Sequence, residues 1–109
     1  MKHKTAELDG ALLNAAVAKA EGLPVHPGPG RFMVAAPIAQ RWAHEFDWAG
    51  SWKDGGPIIE RERISVMDDI YAGWHARTTD AVDGHGPTPL TAAMRAYVAS
   101  RFGDEVELP

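Results

Sequence analysis

With 109 residues, 45% of them hydrophobic and 24% charged, the chain has the size and balance of one globular domain and too little length for two cores. A formal net charge of −4 denies it the electrostatic footprint of a general nucleic-acid binder. The lack of cysteine excludes disulfide frameworks, thiol catalysis, zinc fingers and iron–sulfur sites. No apolar run approaches the roughly 20 residues of a membrane helix. Met1-Lys2-His3-Lys4 is basic, but Glu7, Asp9 and Asn14 follow, so no signal peptide and no membrane attachment are expected. The expected location is the cytoplasm of whatever cell makes the protein.

The first predicted element is a helix. Asp9 is a suitable N-cap, and Leu12, Leu13, Ala16, Val17 and Ala20 recur at helical spacing. Gly22 stands where the chain turns left-handed after a helix, and Pro24 stops continuation. Ala15, Ala16, Ala18 and Ala20 make a small face that a neighbour can approach closely. Residues 23–50 are less legible. Pro24, Pro27, Gly28, Pro29 and Gly30 predict a loop. The apolar run Phe32 to Ala36 suits a strand or buried coil. Ile38, Trp42 and Phe46 are four apart and suggest one or two helical turns.

Ser51 is the next N-cap candidate. Gly55-Gly56-Pro57 interrupts the pattern that follows, and proline belongs in a first turn, so a regular helix is expected from Pro57 to about Arg63. Ile64 to Met67 and Tyr71 to Thr78 then alternate as a hairpin, with Asp68-Asp69 as its turn. Ala72, Trp74 and Ala76 share the face that should pack on a helix; Tyr71, Gly73, His75 and Arg77 share the other. Residues 79–87 predict a polar loop. Thr88 as N-cap and Pro89 at the first helical position open the clearest helix of the chain, which Gly103 closes. Residues 104–109 look like an acidic tail.

These elements give an α+β fold: a small antiparallel sheet containing the 64–67 and 71–78 hairpin, packed by about three helices. The first and last helices should cover or flank that sheet. Two strands alone are marginal. Either residues 30–36 add a strand or a second subunit completes the sheet, so a homo-oligomer is one expectation.

Gly55-Gly56-Pro57-Ile58-Ile59-Glu60-Arg61-Glu62 and the stretch from Gly86 to Ser100 resemble a small family encoded by tailed bacteriophages and prophages, the NinX-like family, a domain of unknown function. Lys4 to Leu8, Ala16 to Gly22 and Gly103-Asp104-Glu105-Val106 share the resemblance, which spans roughly two-thirds of the chain on a motif count. Residues 23–46 do not take part. The family often carries Ser-Thr-Asp-Trp ahead of the double glycine; here Gly50-Ser51-Trp52 keeps the tryptophan and lacks the acid. The resemblance implies a phage or prophage origin and an element order similar to that of phage alpha-beta-alpha sandwich proteins. It implies no reaction and no cofactor.

The residues themselves point to one candidate site, at the start of the last helix. Gly84, Gly86 and the free amides after Thr88 could hold a phosphate or carboxylate, because a helix start concentrates partial positive charge. Lys53, Arg77 and His85 could add charge, and Trp48 or Trp52 could stack on a base. The plainer alternative is helix capping with core tryptophans, and Trp74 suits the core best. Glu60-Arg61-Glu62-Arg63 reads as a solvated helix face. The histidines His3, His26, His44, His75 and His85 lack two-His metal spacing, and the Asp83–His85 pair lacks a third ligand. Three functions follow. The first is a non-catalytic binder of a small anionic, nucleotide-like ligand that counters host defence signalling. The others are a module that docks on a host protein and a small hydrolase with converging acids or histidines.

Overall fold

The computed structural model describes residues 1–28, 31–36, 39–42, 45–71 and 73–109. It is an α+β protein, with small antiparallel sheets and three α-helices among the described residues. Strand β1 (Lys2–Lys4) is followed by a single 3-10 turn and helix α1 (Gly10–Ala20). Asp9 caps α1, its carboxylate accepting from the Gly10 amide at 2.9 Å. Gly22 then turns left-handed at φ 81°, and the Leu23 amide reaches back to the Ala18 carbonyl at 2.9 Å.

Residues 23–50 depart from the expected loop. β2 (Val25–Gly28), β3 (Arg31–Ala36) and β4 (Ala39–Trp42) form a three-stranded antiparallel sheet of their own, in the order β2-β3-β4. Within the stretch 38–46, expected to hold one or two helical turns, residues 39–42 form β4 instead, where Trp42 pairs with Met33. A spacing of four serves a strand as well as a helix, since it is a multiple of two. Ile38 and His44 lie outside the described residues. Residues 31–36 thus supply a strand, but not to the hairpin sheet.

Helix α2 (Trp52–Glu62) begins at Trp52 and runs through Pro57, rather than starting there. Pro57 lies on the exposed face near the helix start, and the Lys53 carbonyl it leaves without an amide partner sits in the first turns, where water can serve it. Close packing accounts for Gly55, the first of the two glycines. A Cβ there would stand 2.2 Å from the Trp48 carbonyl oxygen and 2.7 Å from a methyl of Leu90. Arg63 ends the helix in the left-handed region at φ 52°, ψ 47°, with the Ile64 amide bonded to the Ile59 carbonyl at 3.0 Å.

The hairpin is present with shifted bounds: β5 (Ser65–Asp69) and β6 (Gly73–Arg77). Asp68 and Asp69 are strand residues opposite Trp74 and Gly73, not the turn, which falls at Ile70 and Tyr71. Ala72 lies outside the described residues. The expected loop at 79–87 contains a third strand, β7 (Asp83–Gly86), so the sheet is completed within the chain in the order β5-β6-β7. Ala76, Gly84 and Gly86 are buried on the face against helix α3 (Pro89–Phe102), and Trp74 packs partly buried there.

α3 starts as expected: the Thr88 hydroxyl accepts from the Thr91 amide at 3.1 Å, and Pro89 occupies the first turn. Gly103 closes it at φ 83°. Its residues from Leu90 to Val98 are buried except Arg95, so the helix is covered nearly all round. Among the described residues α1 packs mainly on α3 and on β3, and not comparably on the β5-β6-β7 face. It therefore sits one layer further out than expected, between α3 and the second sheet, and its alanines permit that approach. The supposed acidic tail includes strand β8 (Glu105–Glu107), which pairs with β1. Among the described residues no helix is long and apolar enough to cross a membrane.

Candidate functional site at the start of helix α3

Residues 47–51 form the turn that presents α2. The Gly50 and Ser51 amides both donate to the Asp47 carbonyl, at 3.3 and 2.7 Å. The Ala49 amide donates to the buried Asn14 side chain of α1 at 3.3 Å, which ties the turn to the core. Trp48 points inward. It is 8% exposed and stacks on Phe46, with ring centroids 4.9 Å apart and planes 3° apart. Trp52, on the first turn of α2, points outward and is 57% exposed.

A depression of about 260 Å³ lies beside it, lined by Ala49, Gly50, Trp52, Thr88, Pro89 and Leu90. Of the predicted site residues, Trp52 and Thr88 therefore meet at one concave surface, and exposed Lys53 follows Trp52 on the same helix turn. Trp48 belongs to the core beneath. Gly86 is covered: a Cβ on it would stand 2.8 Å from the Thr91 methyl group and 3.1 Å from the Ala92 amide nitrogen. Gly84 is covered likewise, so both glycines make room for α3 and present no loop of amides to the depression. Ala49, Gly50, Pro89 and Leu90 were not among the predicted site residues. The glycine ahead of Ser51 was the only hint of a turn meeting the helix start.

Arg77 and His85 lie elsewhere, on the outer face of the β5-β6-β7 sheet. Arg77 Nε donates to Asp83 Oδ1 at 2.8 Å, and the same oxygen is 2.7 Å from His75 Nε2. Both contacts hold the Asp83 carboxyl below its ordinary range, the arginine most of all. The His75 and His85 rings stack at 4.6 Å, and His85 Nδ1 is 3.7 Å from Asp69 Oδ2. His85 also borders a second hollow of about 230 Å³ with Thr5, Asp83, Arg95 and Asp104. Arg95 is engaged across it, donating from Nε to the Leu8 carbonyl at 2.7 Å and from Nη1 to the His85 carbonyl at 2.8 Å. Among the described residues no group of three or more His, Asp or Glu is placed to hold a metal ion.

The remaining shifted groups form a clamp among the helices. Arg61 of α2 grips Glu21, at the end of α1, in a two-bond fork of 3.0 and 2.6 Å. It also donates to Glu62 at 2.9 Å and to the Tyr97 hydroxyl at 3.2 Å. Tyr97 of α3 donates to Glu21 in turn. Arg61 and the Tyr97 hydroxyl hold the Glu21 carboxyl below its ordinary range, against the opposing effect of burial. Burial, and then the Glu21 carboxylate, push the Tyr97 hydroxyl up to about 12. The alternating charges at 60–63 are thus more than a solvated face, because Arg61 and Glu62 carry this bridge. Its partners are packed helix to helix, which is the geometry of a structural lock.

No curated protein matches this sequence. The model of the family described as Bacteriophage P22, NinX matches residues 4–101, including β2 to β4, which the sequence motifs had left out. The matched span takes in both glycine stretches, the Trp52 turn and the whole of α3 but its last residue, and on that match the chain belongs to the bacteriophage P22 NinX family.

Proposed function

We propose that this chain is a non-catalytic binding module for a small ligand that joins a planar ring to an anionic group, as a nucleotide does. The observation that carries the reading is the exposed Trp52 indole at the rim of the depression beside the start of α3. A base stacked on an indole gains roughly 1–3 kcal/mol, whichever base it is. The start of α3 favours an anion through its partial positive charge, and Lys53 adds a full one. Pro89 has no amide to give, and the Thr91 amide is taken by Thr88, so the anion relies on the Leu90 amide and the helix field. A volume of about 260 Å³ suits a ring seated on the surface more than one engulfed.

The six residues lining the depression include no acid, base or nucleophile beyond the Thr88 hydroxyl, and that hydroxyl caps α3. This favours binding without turnover over the small hydrolase. In a phage-borne chain such a binder would withhold a signalling nucleotide from a host receptor and so blunt a defence response.

A thermal-shift panel of mono-, di- and cyclic nucleotides tests the proposal. At least one should raise the unfolding midpoint of the native chain, and the rise should vanish in Trp52→Ala. Absence of stabilisation by every nucleotide at millimolar concentration removes it. A second reading, docking on a host protein, is favoured by Ile70 and Tyr71, which stand 83% and 93% exposed at the hairpin tip. It requires a co-purifying host protein that is lost when both residues are changed to serine.

A further inference from the structure

The two edges of the β5-β6-β7 sheet are treated differently. On the β7 side, Arg95 donates to the His85 carbonyl, and Thr5 and Ala6 line the adjoining hollow. On the other side, β5 is the outer strand. Three of the large apolar side chains that stand exposed among the described residues, Met67, Ile70 and Tyr71, belong to β5 and the turn that follows it. An uncovered edge strand flanked by exposed apolar side chains is a template for another strand.

We infer that the β5 edge is an interface at which a second copy of this chain adds its own β5, antiparallel and centred on Met67, to make one continuous six-stranded sheet. The register decides the occupant. Pairing centred on Met67 sets the two Met67 side chains face to face, Ser65 opposite the copy's Asp69, and Val66 opposite the copy's Asp68. No acid meets an acid, although β5 carries two in five residues. Residues directly opposite share a face, so the copy's Asp69 lies in one row with Ser65, Arg77 and Asp83. The row therefore sets the Arg77 guanidinium, bonded through Nε to Asp83, between two carboxylates.

The 109-residue chain has no cysteine, which allows a direct test. Light scattering at tens of micromolar should give twice the 11.8 kDa chain mass. Met67→Lys, a change at an exposed position that sets two like charges face to face, should return the single-chain mass with unaltered circular dichroism. Met67→Cys should give a disulfide-linked dimer under mild oxidation, and Ser65→Cys should not, because that register holds the two copies of residue 65 far apart. A native chain that stays monomeric overturns the inference and leaves the edge to a strand of another protein. A dimer that persists in Met67→Lys, or one cross-linked by Ser65→Cys and not by Met67→Cys, overturns it as well.

Discussion

Gly84 and Ala92 approach so closely that a Cβ on the glycine would stand 2.4 Å from the alanine carbonyl oxygen, and 2.5 Å from the Ala96 amide nitrogen. Both neighbours are backbone of α3 and cannot rotate away. β7 can lie directly beneath α3 only because this residue has no side chain. Gly84→Ala should therefore cost about 3 kcal/mol, the upper range for overpacking, read as a lower urea midpoint at constant slope. Gly86→Ala should cost less, because its nearest neighbour is a methyl group of Thr91 at 2.8 Å. Equal stability of Gly84→Ala and the native chain would show that the glycine is not a packing residue.

The start of α3 makes a smaller, separable prediction. Thr88 accepts from the Thr91 amide at 3.1 Å and donates to the Thr91 hydroxyl at 3.0 Å. Thr88→Ala should lose about 1 kcal/mol, and Thr88→Ser should keep most of it, since serine supplies the same oxygen. A urea titration of the two variants side by side checks this.

The Glu21–Arg61–Tyr97 clamp gives stability two pH limits. The Glu21 carboxyl is depressed in the folded chain, so its contribution is present above the ordinary value of 4.5 and is lost as pH falls through the depressed one. The Tyr97 hydroxyl is raised to about 12 from an ordinary 10, so the folded state holds that proton longer. Its contribution is complete below 10 and is lost as pH rises through about 12. In a Tyr71→Phe background Tyr97 is the remaining tyrosine, and its tyrosinate absorbance should develop near 12. Adding Glu21→Gln should lower that midpoint only part of the way to 10, because burial, the larger cause, stays. A midpoint of 10 in the Tyr71→Phe chain would contradict the clamp.

What the sequence made legible was chosen by local chemistry. Asp9, Thr88-Pro89 and Gly103 fix helix ends through bonds a few residues long, and all are found where expected. β7 was missed because Asp83-Gly84-His85-Gly86 has no strand propensity; its glycines are selected by the helix above them, which no local window contains. β4 is not legible because Ala39-Gln40-Arg41-Trp42 does not alternate apolar with polar residues. The same limit governs the site. Trp52 and Thr88 meet because the 47–51 turn is anchored to Asn14, a residue of another helix. Arg77 and His85 joined the prediction as nearby charges, and strand pairing carried them to the opposite sheet face. Gly84 and Gly86 look alike in a sequence whether they free a loop for an anion or make room for a helix, and here both lie close against α3.

The most direct test of nucleotide binding at this place is a heteronuclear NMR titration of the native chain with the most stabilising nucleotide of the panel. The account predicts shifts in the Trp52 indole N–H and in the amides of Ala49, Gly50 and Leu90, with the resonances of His75 and His85 unmoved. Shifts confined to the β5-β6-β7 face, or no shifts at saturating nucleotide, would contradict it.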